Sequence, residues 1–123
     1  MDEPTENNSR KFNSVTCYKI SNIMDRSVIE SICSHKEVPL LYAQDSSELS
    51  RLGEESLVVC DLTNLKNGEL VSLVESAKTK NWRILGSYPH VSKEIGEAAL
   101  IEGVDYVVPR SAFRRKLLQL LTN

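Results

Sequence analysis

Five times along this chain a short, uninterrupted apolar run is followed by a stretch whose apolar residues recur every three or four positions. Continuous runs of four to six apolar residues read as buried strands, and the three-and-four spacing reads as amphipathic helix. The strands are expected at Val15–Ile20, Val38–Ala43, Ser56–Asp61, Trp82–Ser87 and Tyr106–Val108. Between them, one helix carries Met24, Val28, Ile29 and Ile32 on its buried face, and a weaker one runs from Ser46 to Leu52 and stops at Gly53. A third starts near Gly68 with Leu70, Val74 and Ala77 inward; a fourth is capped by Ser92, buries Ile95, Ala98 and Ala99, and is closed by Gly103. A last helix, with Ser111 as its cap, turns Phe113, Leu117, Leu120 and Leu121 inward. Strict alternation with short connections dictates a parallel sheet, right-handed crossovers and helices on both faces: an α/β three-layer sandwich.

Before this pattern starts, Met1–Ser14 is polar, holds Pro4 and Asn7-Asn8 and has no apolar period, so residues 1–14 are expected to form a flexible arm and residues 15–123 a single domain. A chain of 123 residues with 41% hydrophobic side chains supports one core. Its net charge of −2 gives no field that would draw it to nucleic acid or an anionic membrane. No stretch reaches the roughly 20 apolar residues of a membrane span, and the amino end lacks the hydrophobic core of a secretory signal; a cytoplasmic location is expected. Cys17, Cys33 and Cys60 are odd in number and far apart, which fits reduced, buried thiols. Cys33 and His35 make the one Cys-x-His pair, and no second ligand pair accompanies it.

Three of the expected strands end in residues with chemistry. Leu57-Val58-Val59-Cys60 stops at Asp61, Ile84-Leu85-Gly86 at Ser87, and Val107-Val108-Pro109 at Arg110. In an open parallel sheet these side chains meet in the crevice beyond the carboxyl ends of the strands, where ligands and reactions are found. A structural reading stands beside this one: Asp61 as a polar strand end bonded to amides of the next loop, Ser87 as a turn residue before Pro89, and His90 as a solvated loop histidine. Arg110, Arg114, Arg115 and Lys116 form an exposed stripe on the last helix, with too few aromatics for a nucleic-acid footprint.

Asp61 after its apolar run, Gly68 seven positions on, Ser87 after Ile84-Leu85-Gly86, and Gly103-Val104-Asp105-Tyr106 leading into Arg110 together resemble the receiver domain of two-component response regulators. Ala43–Leu49 is similar to the receiver's second strand-to-helix junction, and the resemblance extends from about Val15 to the end. It implies a flavodoxin-like (βα)5 fold with strand order 2-1-3-4-5 and places Asp61 at the phosphoacceptor position. In that family Mg²⁺ is held by this carboxylate and by acids at the end of strand one, because a hard cation needs oxygen ligands and must offset the incoming phosphate.

The departures are specific. Where a receiver has its acidic pair this chain reads Lys19-Ile20-Ser21-Asn22, the nearest acid being Asp25, and the Met-Pro that follows the phosphoacceptor is replaced by Asn64-Leu65. Counted from Gly103, Arg110 takes the place of the receiver's lysine and is able to form a standing ion pair with Asp61; counted from Tyr106, Pro109 takes it. The resemblance makes Tyr106 the switch aromatic, and Ile95, Arg114 and Arg115 parts of the docking face formed by the fourth helix, fifth strand and last helix.

Three functions follow as expectations. The first is a non-enzymatic pseudo-receiver that takes no cofactor and works in trans on a partner protein or a second copy of itself through that face. The second is a phospho-receiver with Asp61 as acceptor and a Mg²⁺ shell drawn from Asn22, Asp25 or Asp45. The third is a flavodoxin-like binder of a nucleotide, flavin or corrinoid; against it, no glycine precedes Gly53 and no Asp-x-His-x-x-Gly segment occurs.

Overall fold

The computed structural model describes residues 12–66 and 68–122. Five parallel strands, β1 (Ser14–Tyr18), β2 (Leu40–Ala43), β3 (Ser56–Asp61), β4 (Arg83–Tyr88) and β5 (Tyr106–Pro109), form one sheet of order β2-β1-β3-β4-β5. Helices α1 (Ile23–Lys36), α2 (Ser46–Leu49), α3 (Glu69–Lys80), α4 (Lys93–Glu102) and α5 (Arg110–Leu121) make the crossovers. This is the layered sandwich that the alternation dictates, with the flavodoxin-like (βα)5 strand order that the resemblance implies.

The central strands are apolar on both faces because both are covered. Val15, Cys17, Leu57, Val59 and Leu85 face α1 and α5, where Ile29, Cys33, Phe113 and Leu117 complete one core layer. Tyr18, Val58, Cys60 and Ile84 face the other way, onto Leu49 of α2, Leu73, Val74 and Ala77 of α3 and Ala99 of α4. The period of two along each strand thus becomes two separate core layers. At the opposite end from the strand tips, buried Trp82 donates its indole N–H to the Gly53 carbonyl at 2.7 Å, and Lys80 donates to the carbonyls of Ser50 and Leu52. These bonds pin the α2–β3 connection and satisfy the one polar atom of a buried indole.

Several boundaries differ from those read in the sequence. Phe12, 4% exposed, packs into the α1/α5 core layer and β1 starts at Ser14, so the ordered fold begins ahead of Val15; residues 1–11 of the expected arm lie outside the described residues. The first strand stops at Tyr18 because Lys19 takes a left-handed φ of 57°, and Val38 precedes β2 as a buried anchor. Met24 is 75% exposed; the inward stripe of α1 is Ile29, Ile32 and Cys33, so the apolar face starts one turn later than the spacing implied. The second helix is a single turn ending at Leu49, with Leu52 buried in the connection after it. In α4 Ala98 is exposed and Gly96 is buried instead, and the N-cap of α5 is Pro109, not Ser111, because the helix begins at Arg110 directly off the strand.

Candidate functional site

The register of the sheet brings the strand ends together. Asp61 stands opposite Ser87 across β3 and β4, and Ser87 stands opposite Val108, two residues before Arg110. Asp61 and Ser87 are both buried, at 4% and 5% exposure, in a protein whose other buried polar side chains are Thr16 and Ser56 among the described residues.

A buried carboxylate needs partners for both oxygens. Asp61 Oδ1 accepts from the Thr63 backbone N–H at 3.0 Å and from the Thr63 hydroxyl at 2.6 Å, capping the 3-10 turn Leu62–Asn64. Oδ2 accepts from Arg110 Nη2 in an ion pair. Asp61 is therefore both the strand end bonded to its loop and the partner of the cation at the end of β5. Arg110 reaches it because no loop intervenes between Pro109 and the helix, which places the guanidinium over the sheet edge.

The other side of the crevice is built from Lys19. Its backbone N–H donates to the Ala43 carbonyl, its own carbonyl accepts from Asn64 Nδ2 at 2.9 Å, and its ammonium pairs with Glu69 at the start of α3. The hydrogen bond with Glu69 raises the lysine above its ordinary pKa, and the same bond from Lys19 holds the Glu69 carboxyl below the usual range. Both groups stay charged across neutral pH. The β1–α1 loop is thereby tied to the β3–α3 loop by a salt bridge.

Measured against the needs of Mg²⁺, this donor set does not fit. Lys19, a cation, holds the end of β1; Asn22 Oδ1 accepts from the Asp25 backbone N–H at 3.0 Å as the cap of α1; and Asp25 lies within that helix. Asp45 is the N-cap of α2, its Oδ1 accepting from the Glu48 N–H. A hard divalent ion at Asp61 would have to compete with Arg110 for Oδ2 or with Thr63 for Oδ1 and then find its remaining oxygens among neutral groups. Among the described residues, no three His, Cys, Asp or Glu side chains gather to hold a metal ion.

The remaining sequence-derived residues lie apart from this centre. Tyr106 is the first residue of β5, about 13 Å of extended chain from Arg110, half-buried on the α1/α5 side with Lys116 Nζ 5.1 Å from its ring centre. Ile95 packs onto the α2–α3–α4 layer, and Arg114 and Arg115 are exposed on α5. Tyr88, the residue before Pro89, is the aromatic beside the centre. It follows Ser87, pairs with Pro109, and its ring lies against Gly96 so closely that a Cβ there would stand 2.7 Å from Cε1. The sequence signal was Gly96 itself, the one residue in the fourth helical stretch with no reason of propensity to be there.

The architecture matches a known structure. Full-length FixJ from B. japonicum superimposes with a TM-score of 0.67 over 89% of this chain and 56% of that one, at 13% sequence identity. The fold is receiver-like. At this identity the likeness is one of fold, and the chain spans little more than half the length of that structure. No protein-family model and no curated protein matches the sequence. Among the described residues no helix is long and apolar enough to cross a membrane.

Proposed function

We propose that this chain is a pseudo-receiver: a regulatory protein-interaction module that keeps the receiver scaffold and works without accepting phosphate. The observation that carries this reading is the occupied carboxylate. Asp61 stands where a receiver's phosphoacceptor stands, yet Arg110 and Thr63 take both of its oxygens and Lys19 replaces an acid at the end of β1. The charge that phosphate and Mg²⁺ bring to a receiver is balanced here by side chains of the chain itself.

The module's output is a docking face made by α4, the edge strand β5 and α5. Exposed apolar side chains support it: Leu100 and, at 87% exposure, Ile101 on α4, and Leu118 on α5, with Arg114 and Arg115 giving a cationic margin. Large apolar side chains left in water beside an unpaired strand edge mark a surface that another protein covers. The occupant is a partner protein acting in trans or a second copy of this chain.

Intact-mass spectrometry of the purified chain after incubation with Mg²⁺ and acetyl phosphate tests the first part. No phosphoryl adduct is expected. A stoichiometric adduct that disappears in Asp61→Asn would make the chain a phospho-receiver with Asp61 as acceptor. For the second part, Ile101→Glu is expected to abolish capture of the partner, or self-association, while leaving the thermal midpoint within a few degrees.

A further inference from the structure

A cavity of about 390 Å³ opens between α2 and α3, next to the end of β1 and apart from the Asp61–Arg110 pair. Such a volume suits a small organic ligand. Its floor is apolar, made by Leu49 and Leu73, and its walls carry the hydroxyls of Ser72 and Ser76.

Two features of the lining point to an occupant. Tyr18 lines the cavity and is only 2% exposed, yet among the described residues its hydroxyl has no hydrogen-bond partner. Buried phenol hydroxyls ordinarily find a partner. The second feature is Asp45. Its bonds from the Glu48 N–H and the Ser47 hydroxyl both end on Oδ1, and Oδ2 takes neither. Glu69, the other lining carboxylate, is paired with Lys19, so Asp45, exposed at the rim, is the lining carboxylate with no salt bridge among the described residues.

We infer that this cavity binds an alkylammonium group, with the ammonium donating to Asp45 Oδ2 and the Tyr18 hydroxyl and the aliphatic chain lying on Leu49 and Leu73. An anion would be opposed by the Asp45 carboxylate at the rim, and a purely apolar ligand would leave the Tyr18 hydroxyl without a bond. A free amine and the side chain of a lysine on another protein present the same chemistry.

The test is an amide-resolved NMR titration of the full chain with n-butylammonium, n-butanol, n-butyrate and N-acetyl-lysine methylamide. Saturable shifts confined to residues around Tyr18, Asp45, Ser72 and Ser76 are expected with butylammonium and absent with butanol and butyrate. Stronger binding of the lysine derivative would identify a protein side chain as the source, and stronger binding of butylammonium a free amine. Asp45→Asn keeps the helix cap and removes the charge, and is expected to weaken butylammonium binding about tenfold or more; Tyr18→Phe keeps the ring and is expected to weaken it several-fold. Butylammonium shifts that are absent, that lie elsewhere, or that are unchanged in both variants would overturn the assignment.

Discussion

Asp61 is a buried anion held from two directions, and the arrangement sets what each partner contributes. Removing Arg110 leaves the carboxylate with Thr63 alone, in a site too dry to solvate it. Arg110→Ala is therefore expected to cost roughly 1–3 kcal/mol, below the full penalty for a broken buried pair because the guanidinium is half exposed. Urea unfolding checks this, and in the Arg110→Ala/Asp61→Ala double variant most of the loss should be recovered. The Lys19–Glu69 bridge carries a pH signature. Glu69 is held below its ordinary range, so its contribution is present above about pH 4.3 and fades as the pH falls through its lowered value. Lys19 is raised, so its contribution is present below about pH 10.4 and fades as the pH climbs through its raised value. The stability gap between the parent chain and Glu69→Gln should thus be flat between about pH 5 and 10 and close toward pH 3, as read from urea midpoints.

Among elements, α4 packs on β4, β5 and the 3-10 turn after Asp61, and it meets Tyr88 at Gly96. The Tyr88 ring fills the space that a side chain at Gly96 would need. Gly96→Ala gains helix propensity but drives a methyl into the ring, for a net loss of about 1–2 kcal/mol, and amide shifts should spread along α4 and into Ser87. A variant with unchanged stability and shifts confined to its neighbours would dissociate α4 from the site. This contact also shows where sequence reading runs out. Ile95 and Ala99 were legible by spacing as inward, but Ala98 and Gly96 exchanged roles because the helix is rotated to seat Tyr88, a tertiary demand that no local period carries. Met24 failed too: it and Ile23 lie in the first turn of α1 with their side chains exposed, and the buried stripe begins only further along the helix. Ser111 has good capping chemistry, yet the chain enters α5 straight from Pro109, whose fixed φ of −66° suits the residue before a helix.

For the whole molecule, the alternation of apolar periods was enough to fix the layers, because burying both faces of a parallel sheet leaves few topologies. Asp61 and Ser87 were legible as strand ends for the same reason. The Arg110–Asp61 pair was legible only as one of two alternatives, since two counts along β5 put different residues at the position, and it is the absence of a loop before α5 that brings Arg110 over Asp61. The burial of the thiols gives a whole-molecule check. Desolvation pushes Cys17 and Cys60 up to about 12 and Cys33 to about 11. A thiol reagent at pH 8 should modify them only at the rate of global opening, all three becoming reactive together in urea. The pseudo-receiver reading proposed for this chain requires that Arg110 and Thr63 close Asp61 to metal and phosphoryl group. Its most direct test is the amide NMR spectrum of the full chain in millimolar Mg²⁺ with beryllofluoride. The resonances of Cys60, Asp61, Ser87 and Arg110 should stay in place. Saturable movement of all four would contradict the claim.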